Sequence, residues 1–250
     1  MSVDIPGQLP IVFDLGTGLR YFGCGQANDG SFRGIGLLTH LHWDHIQGLP
    51  FFTPMLQPGA QFDVYGPVQD DGRSLTEAFQ SAIKPPVFPL TLEQFPGTFR
   101  FHDVGDDDLV LGDVTVRSRI VPHVGPTVGY RIEWGGRSVA YISDHQQPFD
   151  GSHRAAEGAL ELAAGVDLLI HDAQYTADEF ARKFNWGHCT PEYAVWLAGE
   201  AGAKQLALFH HDPSRHDDAV DAIGVCAAEA GRRLGVDVLV AREGLTVDVG

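Results

Sequence analysis

The chain is poor in the features that would place it outside a reducing compartment or in a bilayer. It has only three cysteines, Cys24, Cys189 and Cys226, widely spaced and odd in number. No disulfide framework follows, and a reducing cytoplasm is the expected setting. No stretch of eighteen or more apolar residues occurs, which excludes a spanning helix. The first ten residues lack a basic segment followed by an apolar core, so they do not read as a secretory signal. Basic residues are scarce: 17 Lys and Arg stand against 33 Asp and Glu, a formal charge of −16. That balance argues against a broad nucleic-acid footprint and against docking on anionic lipid. A phosphate substrate stays open, because a bound cation reverses the local field.

What is present is ordinary globular material with an excess of histidine. The 250 residues are 44% hydrophobic and 20% charged, enough for a real core without covalent staples. Twelve histidines accompany the acid excess, a composition suited to a metal site if the two residue types converge.

Short β-rich runs alternate with helical patterns. Strands are expected at residues 10–15, 34–39, 62–65 and 113–121, with a hairpin of 128–134 and 138–143 turning at Gly135-Gly136. Buried-strand runs at 166–170, 205–209 and 236–240 each follow helix-compatible sequence, at 154–164, 191–201 and 217–234. Thr190 is placed to cap the second of these helices, with Pro191 in its first turn. The third has Asp217 and Asp218 at its start and Arg232 and Arg233 at its end, complementing the helix dipole. Residues 57–112 are richer in Pro, Gly and Asp. They read as an insertion over one end of the sheet, with one short helix at 74–83 and an extended Lys84-to-Pro89 stretch. The whole is expected to be a single α/β domain spanning 1–250.

The decisive segment is Thr39-His40-Leu41-His42-Trp43-Asp44-His45, directly after an apolar strand. His40 and His42, two apart in extended chain, point to one side. Asp44 and His45 fall where a helix can begin. Four candidate ligands within six residues can feed two adjacent metal positions. Imidazole mixed with carboxylate favours Zn²⁺, Mn²⁺ or Fe²⁺ over Ca²⁺ or Mg²⁺.

His40-Leu41-His42-Trp43-Asp44-His45 resembles the signature of the metallo-β-lactamase superfamily, and the rest resembles its phosphodiesterase and tRNase Z-like branch. Phe13-Asp14-Leu15-Gly16-Thr17-Gly18 is similar to the branch's Asp-x-Gly-x-Gly stretch, and Pro122-His123 to its third histidine ligand. Tyr141-Ile142-Ser143-Asp144 resembles the strand ending in a bridging aspartate. Asp167 to Asp172 resembles the strand ending in a site acid, Gly187-His188-Cys189-Thr190 the His-Ser-Thr stretch, and Leu208-Phe209-His210-His211-Asp212-Pro213 the final ligand strand.

The resemblance implies a four-layer αββα sandwich. Ten residues precede Ile11, so either the family's N-terminal edge strands are missing from the sheet or the chain starts late relative to the family. It implies two divalent metal ions, most simply Zn²⁺. One would be held by His40, His42, His123 and Asp144, the other by Asp44, His45, Asp144 and His210, with Asp144 shared. Within the doublet, strand alternation allows only one of His210 and His211 to reach the metals, and the alignment favours His210. The implied activity is hydrolysis through a metal-bridging hydroxide. Asp44 would orient that nucleophile. His188, positioned by Asp172, would stabilise the phosphorane or protonate the leaving oxygen. Asp14 is expected to accept a hydrogen bond behind a ligand imidazole, or to serve its own turn. His145 is expected behind the ligands or in solvent. His102, His153 and His216 are read as solvated, and Trp43 and Trp186 as pocket walls or core.

The expected substrate is a small phosphodiester, for instance a cyclic nucleotide. The second expectation is a tRNase Z-like endoribonuclease. Against it stand the net acidity and the absence of the long basic Gly-Pro-rich arm that clamps tRNA. Dimerisation could in principle supply an RNA surface. A metal hydroxide would also attack a lactone, lactam or thioester. A metal-binding or sensor protein without hydrolysis is the reading from another class. His42, where redox di-iron members carry Glu, favours hydrolysis. No membrane partner is expected.

Overall fold

The structure is a computed structural model that describes residues 1–249. The chain divides into two compact units, Met1–Gly105 and Asp106–Gly250, each an α/β layer pair around its own sheet. Seven α-helices and two sheets are found among the described residues.

The first unit holds β1 (Ser2–Val3), β2 (Ile11–Phe13), α1 (Gly18–Cys24), β3 (Arg33–Leu37), α2 (Trp43–Ile46), β4 (Gln61–Pro67), α3 (Leu75–Ala82) and β5 (Thr98–Val104). Its sheet runs in the order β1-β2-β3-β4-β5, parallel except for β1. β2 is an unbroken Ile-Val-Phe run because a parallel strand is covered on both faces. Against this sheet packs an aromatic core in which Phe32 meets Phe52 edge-on at 5.1 Å and Phe52 lies 5.4 Å from Phe62. Such pairs add roughly 0.5–1.5 kcal/mol each beyond area burial. α3 is started by a reciprocal cap between Ser74 and Glu77.

The second unit holds β6 (Asp107–Leu111), β7 (Val114–Ile120), β8 (Val128–Trp134), β9 (Arg137–Ile142), α4 (Glu157–Ala163), β10 (Leu168–Asp172), α5 (Ala177–Lys183), α6 (Pro191–Ala201), β11 (Gln205–Phe209), α7 (Asp217–Leu234) and β12 (Asp237–Val240). β6 to β9 form an antiparallel meander, and β9 to β12 are parallel neighbours joined through helices. The core lies between these strands and α4, α6 and α7, with Leu162, Leu169, Leu197 and Leu206 fully buried. α6 and α7 end on left-handed Gly202 and Gly235, where a side chain would be strained. No helix among the described residues is long and apolar enough to cross a membrane.

Two expectations need correction. Residues 57–112 are not laid over the sheet as an insertion: they supply β4 and β5 of the first sheet and β6 of the second. β5 alternates apolar Phe99 and Phe101 with polar Arg100 and His102, the pattern of a strand with one covered face. On the other, Arg100 and His102 bind the two carboxylate oxygens of Asp63 on β4 at 2.9 and 3.0 Å. The Lys84-to-Pro89 stretch turns where extended chain was expected, with the Phe88 N–H bonded back to the Lys84 carbonyl at 3.0 Å. At the sheet's end, β1 pairs antiparallel with β2 as a two-residue edge strand.

Candidate metal centre

Each unit carries one histidine–carboxylate cluster at the ends of its strands, where open α/β sheets place their sites.

In the first unit, β2 and β3 end side by side, and the Asp14 N–H binds the Leu37 carbonyl at 3.1 Å. Asp14 has a positive φ of 56°, rare for a non-glycine residue and typical of functional positions. The loop after it lies directly on the His-rich turn, since the Leu15 N–H meets the His45 carbonyl at 2.7 Å. Two glycines permit that approach. A Cβ on Gly16 would stand 2.4 Å from the Asp44 carbonyl oxygen, and one on Gly48 would stand 1.9 Å from the Gly16 carbonyl oxygen.

The buried Asp14 carboxylate accepts from the Thr39 N–H at 2.8 Å, the Thr39 hydroxyl at 2.9 Å and His45 Nδ1 at 2.8 Å. These contacts settle the imidazole tautomers. His45 must carry its proton on Nδ1, because a carboxylate only accepts. Thr39 has a single hydroxyl proton and gives it to Asp14. Its oxygen therefore accepts from His40 Nδ1, 3.0 Å away. Both rings are left with a lone pair on Nε2. The His40 ring centre is 4.4 Å from that of His42 and 4.2 Å from that of His45. Asp44 Oδ2 lies 3.3 Å from His45 Nε2. Burial pushes the Asp14 carboxyl up, but the charge and hydrogen bond of His45, the charge of His40 and the Thr39 N–H hold it below its ordinary range.

In the second unit, Asp144 follows β9 and is almost wholly buried. Its Oδ2 is 3.7 Å from His123 Nε2, His188 Nδ1 and His210 Nε2 alike. That separation is too long for a hydrogen bond. For His123 and His210 it is close to the roughly 3.4 Å expected between two ligands that share a tetrahedral Zn²⁺, whereas His188 Nδ1 gives its proton to Asp172. His123, Asp144 and His188 form one group of potential ligand atoms within 4.8 Å of one another, and Asp172, His188 and His210 form another. His123 Nδ1 donates to the Gly187 carbonyl at 2.6 Å, which leaves its Nε2 lone pair toward Asp144. Gly187 has φ +96°, and a Cβ there would sit 2.4 Å from His123 Nδ1. His188 Nδ1 donates to Asp172 Oδ2 at 2.9 Å, and its ring stacks on His210 at 5.2 Å.

Asp172 is the hub of this cluster. Besides His188 it accepts the His145 N–H at 3.0 Å and the Gln174 N–H at 2.9 Å. His145 is fully buried, not solvated. His171 Nδ1 donates to the Asp172 carbonyl at 2.8 Å, so its Nε2 must accept, and His145 Nδ1 donates to it at 2.8 Å. Burial holds both imidazoles below their ordinary range. Cys189 gives its thiol proton to the same Asp172 carbonyl at 3.0 Å, and burial pushes that thiol well up. It is not a reactive thiolate. Within the doublet His210, with φ +56°, is the residue that faces Asp144, while His211 is partly buried and held below its ordinary range by burial and Arg215.

Gln146 and Gln147 were not singled out by sequence reasoning. The Gln146 side-chain oxygen accepts from the Gly187 N–H at 2.7 Å, and the Gln147 oxygen accepts from the Thr190 N–H at 2.9 Å. They lace the Asp144 loop to the His188 loop, and nothing in a local pattern marks a glutamine for that task. His102 and His153 are not merely solvated. The first also stacks on Tyr65 at 4.4 Å, and the second stacks on Trp196 at 5.0 Å. His216 is exposed at the start of α7. Trp43 and Trp186 are exposed and belong to neither core.

The chain matches a model described as a beta-lactamase superfamily domain over residues 29–211. A ribonuclease Z of Synechococcus sp. (strain CC9311) is 25% identical, over 92% of this chain and 89% of that protein. A ribonuclease Z of Natronomonas pharaonis is 23% identical, over 96% and 88%. Among solved structures, the metallo-beta-lactamase fold protein YhfI from Bacillus subtilis superposes with a TM-score of 0.71 at 20% identity, covering 96% of this chain and 86% of that one. The short form of human tRNase Z gives 0.69 at 20% identity over 100% and 91%. A diphosphatase of the PhnP family gives 0.68 at 20% identity over 99% and 82%.

Proposed function

The chain belongs to the metallo-β-lactamase superfamily of hydrolases, and from that premise we propose that it is a phosphodiesterase of the ribonuclease Z type, cleaving RNA. The observation that carries this reading is the likeness to ribonuclease Z sequences along about nine-tenths of the chain. The family model runs across the boundary between the two units, which supports treating 1–250 as one functional domain.

The donor set fits a pair of divalent ions. Tautomers fixed from behind by Asp14, Thr39 and the Gly187 carbonyl present Nε2 lone pairs on His40, His45 and His123, as neutral imidazole ligation requires. The resemblance would assign His40, His42, His123 and Asp144 to one ion and Asp44, His45, Asp144 and His210 to the other. Bound divalent cations lower the pKa of water toward neutrality and polarise a phosphoryl oxygen. Around them, Asp44 orients the attacking water and accepts its proton. His188, with its Nδ1 proton committed to Asp172, would face the leaving oxygen through Nε2 and act as general acid when a second proton sits on Nε2, the form that the Asp172 carboxylate supports.

A specific observation favours a second reading, a small or cyclic phosphodiester. The charge of −16 supplies little counterion release along an RNA backbone. Metal-loaded protein tested in parallel on a tRNA precursor, a cyclic-nucleotide panel and bis(p-nitrophenyl) phosphate separates the two. Endonucleolytic cleavage of the precursor is expected. Turnover of cyclic nucleotides alone transfers the conclusion to the second reading, and unaltered turnover by Asp144→Ala refutes the site.

A further inference from the structure

The loops that carry Asp144 and His188 also carry exposed aromatic rings that the proposed chemistry does not use. Phe149 and Trp186 are 63% and 59% exposed, Phe184 is 42% and the neighbouring Val124 is 50%. Phe149 and Phe184 meet edge-on at 5.9 Å. The group is held firmly. The Gln146 side-chain NH₂ donates to the Phe184 carbonyl at 2.8 Å while its oxygen takes the Gly187 N–H. Lys183 Nζ lies 5.4 Å from the Trp186 ring centre and 4.6 Å from that of Tyr175. Trp186 is one residue from Gly187, whose carbonyl holds His123, and two residues from His188 itself.

Exposed rings gathered beside a candidate phosphate-handling histidine offer a surface suited to a flat, apolar occupant. The occupant must belong to the same substrate, because the rings share two short loops with Asp144 and His188. We propose that Phe149, Phe184 and Trp186 form a stacking platform for a nucleobase, so that the substrate is a base-bearing phosphate ester and not a sugar phosphate. The inference rests on the phosphodiesterase reading and narrows it. Base stacking is tolerant of sequence, since every base has a π-face, and Lys183 lies beside the platform with its ammonium paired to Asp212 at 3.2 Å.

The test is calorimetric binding of AMP and ribose 5-phosphate to Zn²⁺-loaded protein, which does not depend on turnover. AMP is expected to bind roughly tenfold more tightly than ribose 5-phosphate, the gain typical of one stacked base. Trp186→Ala and Phe149→Ala should each erode that preference several-fold, and Trp186→Phe should restore most of it. Equal affinity for the two ligands, or an AMP preference untouched by both alanine variants, overturns the platform. Turnover of bis(p-nitrophenyl) phosphate, measured alongside, tests the phosphodiesterase reading by itself. Its absence with the AMP preference intact leaves a base-binding surface, while turnover without the preference sinks the platform alone.

Discussion

Replacing Asp172 with Asn is the sharpest probe of the second cluster, because it keeps shape and removes one acceptor. The carboxylate accepts three protons: Oδ2 takes the His188 Nδ1–H and the His145 N–H, and Oδ1 takes the Gln174 N–H. An asparagine has one oxygen and one NH₂. If its oxygen serves His188 and His145, the NH₂ faces the Gln174 N–H. If its oxygen serves Gln174, the NH₂ faces the His145 N–H and forces the His188 proton onto Nε2. Either way one buried donor loses its partner, at about 1–3 kcal/mol. For a chain of this length that lowers Tm by about 2–4 °C per kcal/mol. In the second arrangement His188 also loses the carboxylate that supports its doubly protonated, acid-competent form, and proton transfer is worth about 10²–10⁴ in rate. The assay is thermal unfolding together with kcat and KM on an activated phosphodiester. The expected outcome is a Tm lower by several degrees and a kcat lower by at least tenfold. A variant with wild-type kcat, whatever its Tm, would falsify the role given to Asp172 and His188.

Other expectations follow from particular contacts. Gly187→Ala puts a methyl into His123 Nδ1 at a backbone angle that side chains avoid, so metal affinity measured by chelator competition should fall about 10–100-fold; unchanged affinity removes His123 from the ligand set. His171→Leu strands the buried His145 Nδ1–H, while the double variant with His145→Leu strands nothing, so urea denaturation should show a favourable coupling of about 1 kcal/mol or more. Additive losses would mean the two rings do not interact. Burial alone would raise the Asp212 carboxyl, but the Ser214 hydroxyl and N–H and the Lys183 ammonium hold it at about 2 against an ordinary 3.8. Its stabilisation is therefore complete above about pH 4 and is lost as pH falls toward 2, and Asp212→Asn should flatten the stability profile in that window.

The sequence by itself determined most of the secondary structure and the inventory of chemistry. Apolar stretches within β2, β3, β10 and β11 reveal strands covered on both faces, because a parallel sheet buries most of their side chains. Thr190 and Pro191 mark the start of α6, and the Thr190 side chain indeed accepts from the Tyr193 N–H. The density of candidate ligands in His40-Leu41-His42-Trp43-Asp44-His45 makes that strand end conspicuous, since few other purposes crowd four such groups together. β5 carries the alternation of a half-buried strand, but nothing local marks the partner of its outer face, Asp63 on β4, 37 and 39 residues away. α5 was missed although Thr176 and Glu179 form a reciprocal cap.

Tertiary structure alone decided what stands behind each candidate ligand. Asp14 reaches Thr39 and His45 across 25 and 31 residues, His145 meets His171 across 26, and Gln146 meets Gly187 across 41. A local pattern registers residue types and spacing, but a tautomer depends on which acceptor the fold brings to the other nitrogen. That is why two histidines equal in sequence, His45 and His145, end differently. One has its Nδ1 proton on a carboxylate and its Nε2 beside Asp44, and the other is buried neutral against His171.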